Sequence, residues 1–320
     1  MSLNNKIAVV IPSYKVKKHI FQVLNAIDSS VKRIYVIDDA CPEKTGDFVL
    51  AKCIDKRVVV LKNKINQGVG GAVMAGYRQA MKDNMDIIVK IDGDNQMDPK
   101  LLIKFISPIL NGNADFTKGN RFYNVEDLKS MPLIRIFGNS ALSFLSKLST
   151  GYWDIFDPNN GYTAIHCNIL KKLNLNKISK SFFFESDMLF RLNLLRAKVQ
   201  DIPMVGKYDN EISNLKIHTI LVEFTYKHSR NFSKRILYNY FIRDMSPASF
   251  ELIAGFILLS FGITFGIIEW VNFHSMGLRT PSGTVMLAIT PILLGIQLLL
   301  SFLNFDISST PKHAQHNQIQ

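Results

Sequence analysis

Two long uncharged stretches near the end of the chain decide most of what it can become. Leu252 to Ile268 carries no charge, and with the flanking Phe250, Trp270, Val271 and Phe273 it reaches the ~20 residues that span a bilayer as a helix. Glu251 and Glu269 mark its ends. Thr284 to Phe305 is a second such stretch, and its Pro291 and Gln297 are tolerated in lipid when neighbours satisfy the freed backbone groups. A short polar turn with Pro281 and Gly283 joins the two, so a two-helix membrane hairpin is expected over residues 249–306. Lys227, Arg230, Lys234, Arg235 and Arg243 precede the first stretch, whereas the turn offers only Arg279. By the positive-inside rule the large N-terminal part and the polar tail, residues 307–320, are cytoplasmic. Met1 to Val10 starts with a strand-like run, so no cleavable signal is expected. Phe232, Ile236, Leu237, Tyr240 and Phe241 recur at helical spacing among the basic residues, which marks residues 227–248 as an amphipathic segment at the membrane surface.

Residues 1–226 have a different grammar. Lys6 to Ile11, Arg33 to Ile37, Val58 to Leu61 and Ile87 to Ile91 are short apolar runs of the kind that form buried parallel strands. Helical periodicity lies between them, over Val16 to Asn25 and from about Gly71 to Met81, so the class is α/β with a mostly parallel sheet. Polar residues cluster just after the strands: Ser13 and Tyr14, Asp38 and Asp39, Asn66 to Gly71, and Asp92 to Asp98. That carboxyl edge is where open α/β sheets bind ligands.

Two phosphate-binding motifs fail on inspection. A Rossmann fingerprint starting at Gly68 needs a third glycine where the chain has Val73, and a P-loop starting at Gly71 would continue into Lys where the chain has Tyr77-Arg78. The glycines are instead expected to let a loop and a helix start approach a ligand closely. Asp92-Gly93-Asp94-Asn95-Gln96-Met97-Asp98 is not an EF-hand, because Met97 and Ile103 stand where glycine and glutamate are required. Its alternating carboxylates at a strand end can still converge on one divalent cation. The net charge of +12 suits an acidic partner, and its concentration beside the apolar stretches favours a membrane surface or a phosphorylated substrate over nucleic acid. Cys41, Cys53 and Cys167 are odd in number and sit at no metal or redox spacing, which fits a reducing compartment.

In order, Ile11-Pro12-Ser13-Tyr14, Asp38-Asp39, Asn66-Gln67-Gly68-Val69-Gly70 and Asp92-Gly93-Asp94-Asn95-Gln96 resemble glycosyltransferase family 2, with its GT-A nucleotide-sugar-binding fold. With the two apolar stretches the chain looks like the dolichyl-phosphate mannose synthase and bacterial polyprenyl-phosphate glycosyltransferase branch. Gly119, Arg121, Arg135 with Asn139, Asn160-Gly161-Tyr162, and Asp187 with Arg191 also match that branch. Two motifs depart from it. The usual Tyr-Asn-Glu reads Tyr14-Lys15-Val16, and the Gly-x-Ser-Lys before the membrane part reads Asn231-Phe232-Ser233-Lys234, with His228 or Arg230 as the upstream basic residue.

The resemblance implies an inverting transfer of a hexose from a nucleotide diphosphate sugar to a polyprenyl phosphate, at the inner membrane with the catalytic domain in the cytoplasm. It implies that Pro12, Tyr14 and Asp39 hold the nucleoside, that Asn66, Gly68 and Gly70 shape its pocket, and that Asp92, Asp94 and Gln96 hold Mg2+ or Mn2+ on the diphosphate. Arg121 and Arg135, with Ser233 and Lys234, would bind the acceptor phosphate. Asp187 either acts as a base or orients Arg191 or the acceptor. A membrane-anchored family 2 enzyme extending a glycan hydroxyl is the alternative, and there Asp187 becomes essential. A non-enzymatic nucleotide-binding scaffold is argued against by the intact Asp92, Asp94 and Gln96 set. Homo-oligomerisation is left open.

Overall fold

The computed structural model describes residues 5–123, 133–205 and 217–318. The chain divides into two compact units, Met1–Phe232 with Pro311–Gln320, and Ser233–Thr310.

In the first unit seven strands form one sheet, ordered β3-β2-β1-β4-β6-β5-β7. They are β1 (Ile7–Ser13), β2 (Val31–Asp38), β3 (Val58–Lys62), β4 (Ile87–Lys90), β5 (Phe116–Asn120), β6 (Thr163–His166) and β7 (Val199–Pro203). Strands β1 to β4 are parallel, β6 runs antiparallel between β4 and β5, and β7 is parallel to β5. Ile7 to Ile11 are all buried, because helices cover both faces. Alternation then sends Ile7, Val9 and Ile11 into one core layer and Ala8 and Val10 into the other.

The connecting helices are α1 (Ile20–Ala26), α2 (Thr45–Lys52), α3 (Gly68–Lys82), α4 (Leu102–Leu110), α5 (Leu133–Thr150), α6 (Cys167–Lys172) and α7 (Phe184–Leu194). Ser13 pairs with Asp38, and the parallel strands therefore end together, which gathers their following loops at one edge. The C-terminal residues group with this unit. The Asp115 carboxylate, at the opposite end of β5, accepts from the Gln315 and His316 backbone N–H groups and lies 2.7 Å from His316 Nδ1. The His316 ring stacks on His166 with centroids 4.2 Å apart.

Helix α8 (Ile217–Leu237) leads into the second unit and passes into a π-helical turn, Tyr238–Arg243. There α9 (Pro247–Ser275) and α10 (Ser282–Ser308) are each long and apolar enough to cross a membrane, with only 11% and 17% of their most apolar windows buried. Most of their side chains therefore face outward, unlike those of a soluble core helix. The amphipathic segment is only partly a free surface. Ile236 and Tyr240 pack with Ala248 and Phe302, whereas Leu237 and Ile242 are exposed. Buried Arg235 makes a two-pronged contact with Asp306, at 2.5 and 3.0 Å, which also accepts from Tyr240 Oη.

Candidate active site

The loops at the carboxyl edge of the sheet carry the candidate site residues. After β4 the chain turns through Asp92 to Asp98, with Asn95 in the left-handed region at φ 65°. Asn tolerates that conformation better than most residues. Asp94 Oδ1 accepts from the Gln96 N–H at 3.0 Å, a local turn bond, while Asp98 caps the following short helix through Lys100 N–H. The acidic run is thus divided in labour. Asp98 caps a helix, and Asp92, Asp94 and Gln96, partly exposed like Asp98, precede it on the turn.

Asp92 has a buried partner that the sequence reading missed. Lys90 Nζ lies 2.8 Å from Asp92 Oδ1 and 3.4 Å from Glu185 Oε1, with its own side chain wholly buried. Burial works to lower the lysine pKa, but the two carboxylates outweigh it and hold the ammonium charged. Burial raises that of Glu185. Gly161 backs onto the pair, and a Cβ at this position would overlap both Asp92 Oδ2 and Lys90 Nζ. Asn160 is tied down in turn, its carbonyl accepting from Lys118 Nζ and its Oδ1 from Tyr162 N–H. Lys118 is fully buried, which pulls its pKa down to about 8.

Asp39 is buried, and its carboxylate accepts from Asn63 Nδ2, Gln67 N–H and Gly68 N–H at 2.7 to 3.1 Å. It therefore shapes the 63–68 loop directly, and Asn66 Oδ1 adds a bond from Gly68 N–H. Gly68 and Gly70 were expected to admit a ligand. What approaches them is the chain's own 179–181 loop, and Gly70 N–H donates to Lys180 O at 3.0 Å. Tyr14 is exposed, beside a left-handed Lys15, and Pro12 is half-buried.

Arg121 is held in a fork by Asp157, Nε to Oδ2 at 2.8 Å and Nη2 to Oδ1 at 3.0 Å. Arg135 lies in α5, and its side chain is outside the described residues. Asp187 is buried at the start of α7. It accepts from Ser179 N–H and Arg191 Nε on Oδ2 and from Asn231 Nδ2 on Oδ1. His228 is buried against Ser149 and Phe183, and burial pulls its pKa down to about 4, so it is neutral and supplies no cation. Arg230 is exposed on α8, as are Ser233 and Lys234 in the second unit.

A hard divalent cation fits the donor set on the 92–96 turn, two carboxylates and a side-chain amide, all oxygen donors and partly exposed. Among the described residues no group of three His, Cys, Asp or Glu stands ready to hold a metal, so a cation here would draw further ligands from Gln96, substrate and water.

The model of glycosyl transferase family 2 matches residues 8–174, from β1 through α6. The chain belongs to glycosyl transferase family 2. Similar relatives of this family 2 enzyme include a UDP-N-acetylglucosamine–dolichyl-phosphate N-acetylglucosaminyltransferase of Methanococcus voltae, 27% identical over 68% of this chain and 92% of the relative. An undecaprenyl-phosphate mannosyltransferase of Micrococcus luteus is 27% identical over 62% of this chain and 82% of the relative. Glucosyl-3-phosphoglycerate synthase from Mycobacterium tuberculosis, solved with Mn2+, uridine diphosphate and glucosyl-3-phosphoglycerate, aligns at TM-score 0.53 and 18% identity, over 72% of this chain and 80% of that one. That likeness is one of fold, a GT-A α/β sheet.

Proposed function

We propose that this enzyme transfers a hexose from a nucleotide diphosphate sugar to a polyprenyl phosphate, with inversion at the anomeric carbon, at the cytoplasmic face of the inner membrane. The carrying observation is that one chain joins the Asp92–Gln96 turn on a GT-A sheet to two helices long and apolar enough to cross a membrane. The relatives named for dolichyl and undecaprenyl phosphate support an acceptor of that chemistry.

Asp92, Asp94 and Gln96 would hold Mg2+ or Mn2+, which when bound neutralises charge developing on the leaving diphosphate. Asp39 keeps the 63–68 loop in shape for the nucleoside, with Tyr14 and Pro12 beside it. A lipid phosphate has a second pKa of ~6 and is mostly dianionic at neutral pH, so it needs positioning more than a base. Arg121, oriented by Asp157, and Arg135 would provide bidentate contacts to it. Asp187 spends its oxygens on Ser179, Arg191 and Asn231 and therefore acts as a strut, which argues against the hydroxyl-acceptor alternative.

The test is to incubate membranes containing the protein with a panel of labelled nucleotide sugars and undecaprenyl or dolichyl phosphate. The expected product is a lipid that releases its sugar in mild acid, because an anomeric phosphate leaves more readily than an alcohol. A glycosidic product stable to mild acid would replace this reading with glycan extension.

A further inference from the structure

Three neighbouring strands place two lysines side by side in the interior. Lys90 of β4 and Lys118 of β5 both pair with Thr163 of the intervening β6, so all three residues share a level and a face of the sheet. Neither ammonium reaches water, and each is held by a different part of the site. Lys118 secures the Asn160 carbonyl, and thereby the backbone that presents Gly161 to Asp92. Lys90 bridges Asp92 and Glu185, whose side chain is only 9% exposed. A lysine in a strand otherwise made of Ile87, Ile88 and Val89 is costly to bury, and an apolar pair of similar volume commonly serves stability as well or better.

We propose that Lys90 is a positioning residue, anchored by Glu185, which fixes the Asp92 carboxylate for the divalent cation and the diphosphate. The inference rests on the reading of Asp92 and Asp94 as the metal and diphosphate site. Lys90 takes Oδ1 and leaves Oδ2, and the space beside the pair admits a glycine at 161 but no Cβ, which would overlap Oδ2 and Lys90 Nζ. Glu185 prevents the ammonium from following Asp92, because the same nitrogen is tethered from α7. The carboxylate is thus oriented before substrate arrives, and a preoriented ligand loses less freedom on binding.

The test compares the full chain in detergent with Lys90→Met, Glu185→Gln and the double variant Lys90→Met/Glu185→Leu. The double variant loses one positive and one negative charge and so keeps the net charge; Lys118, which also feels Glu185, retains Asp157 and Asp201 as charge partners. Mn2+ uptake is read by electron paramagnetic resonance with UDP or GDP present, nucleotide affinity by calorimetry, and folding by thermal unfolding. The expected result is that the double variant unfolds near the wild-type temperature yet binds the Mn2+-nucleotide complex at least tenfold more weakly. In turnover, KM for the sugar nucleotide rises while KM for undecaprenyl phosphate stays within twofold. Wild-type nucleotide and Mn2+ affinity in the folded double variant would mean that the pair only fills the core, and would overturn the proposal while leaving the metal site standing. Failure of the wild type itself to take up Mn2+ with either nucleotide would overturn the metal reading and this proposal together.

Discussion

Asp92 is held by Lys90 on one oxygen, and its other oxygen lies where a Cβ at Gly161 would sit, so a single methyl group is a sharp probe of it. Gly161→Ala needs no unusual backbone angle, but its Cβ would overlap Asp92 Oδ2 and Lys90 Nζ. The expected outcome is a folded protein whose kcat/KM falls by about a hundredfold, roughly 3 kcal/mol of lost transition-state stabilisation. Asp94→Ala, or excess chelator, should abolish transfer without unfolding, and full activity in either case would remove the metal from the mechanism. Buried His228 and half-buried His166 make a different kind of prediction. Burial pulls His228 from 6.5 down to about 4, and burial together with the neighbouring His316 does the same to His166. Both are neutral in the folded state at pH 7. As pH falls from 6.5 towards 4 the unfolded chain takes up protons that the fold refuses, so stability is lost on that side. His228 should cost about 2 kcal/mol by pH 5, and the half-buried His166, screened by solvent, less. Unfolding temperature measured against pH should fall across this window, and His228→Asn should flatten the slope.

At the scale of elements, the C-terminal segment has more work than its polar composition suggests. Ala314 and His316 are buried, and Asp115 collects donors from Gln315, His316 and Lys198. Although burial opposes it, these donors hold the Asp115 carboxyl below the usual range. Truncation after Thr310 removes all but the Lys198 donor and leaves a buried carboxylate short of partners, a loss of about 2 kcal/mol or more. Thermal unfolding should drop and amide exchange at the start of β5 should speed up; unchanged values for both would make the docking dispensable. The docking was not legible, since Pro311 to Gln318 has neither periodicity nor apolar content to announce a buried partner 200 residues away. Strands β1 to β4 were legible because full burial writes a continuous apolar run. Strand β5 was not: Thr117, Lys118 and Asn120 are buried through hydrogen bonds and charge partners that local pattern does not reveal. The same limit governs the site. The 92–96 turn stands out as chemistry in sequence, whereas nothing in local pattern links Lys90, inside an apolar strand run, to Glu185 until β4 and α7 bring them together.

At the scale of the whole molecule, the question is what the two apolar helices are for. If the hairpin crosses the membrane as the basic flank before Phe250 requires, a cysteine at Ser282 should react with an impermeant thiol reagent from outside, and reaction only after opening the membrane would sink that topology. An anchor alone would not need phosphate-binding arginines, and this separates the two acceptor chemistries. An ionised lipid phosphate requires cationic positioning, so Arg135→Ala should chiefly impair use of the lipid. Arg121 is also the charge partner of a buried Asp157, and its removal would leave that carboxylate with hydrogen bonds from neutral donors only among the described residues, so Arg121→Lys is the safer probe: it keeps the charge and loses the fork. Asp187→Asn keeps an acceptor oxygen for Ser179, Arg191 or Asn231 and should retain at least a tenth of the activity, because no proton must be removed from the acceptor. Hydrolysis of the sugar nucleotide by water, measured beside lipid transfer, shows whether the donor half still works. Arginine variants that bind sugar nucleotide but fail to load undecaprenyl phosphate would place the acceptor phosphate at Arg121 and Arg135. Inactivity confined to Asp187→Asn, with a glycosidic product, would instead assign the carboxylate as base and the hairpin as a mere tether.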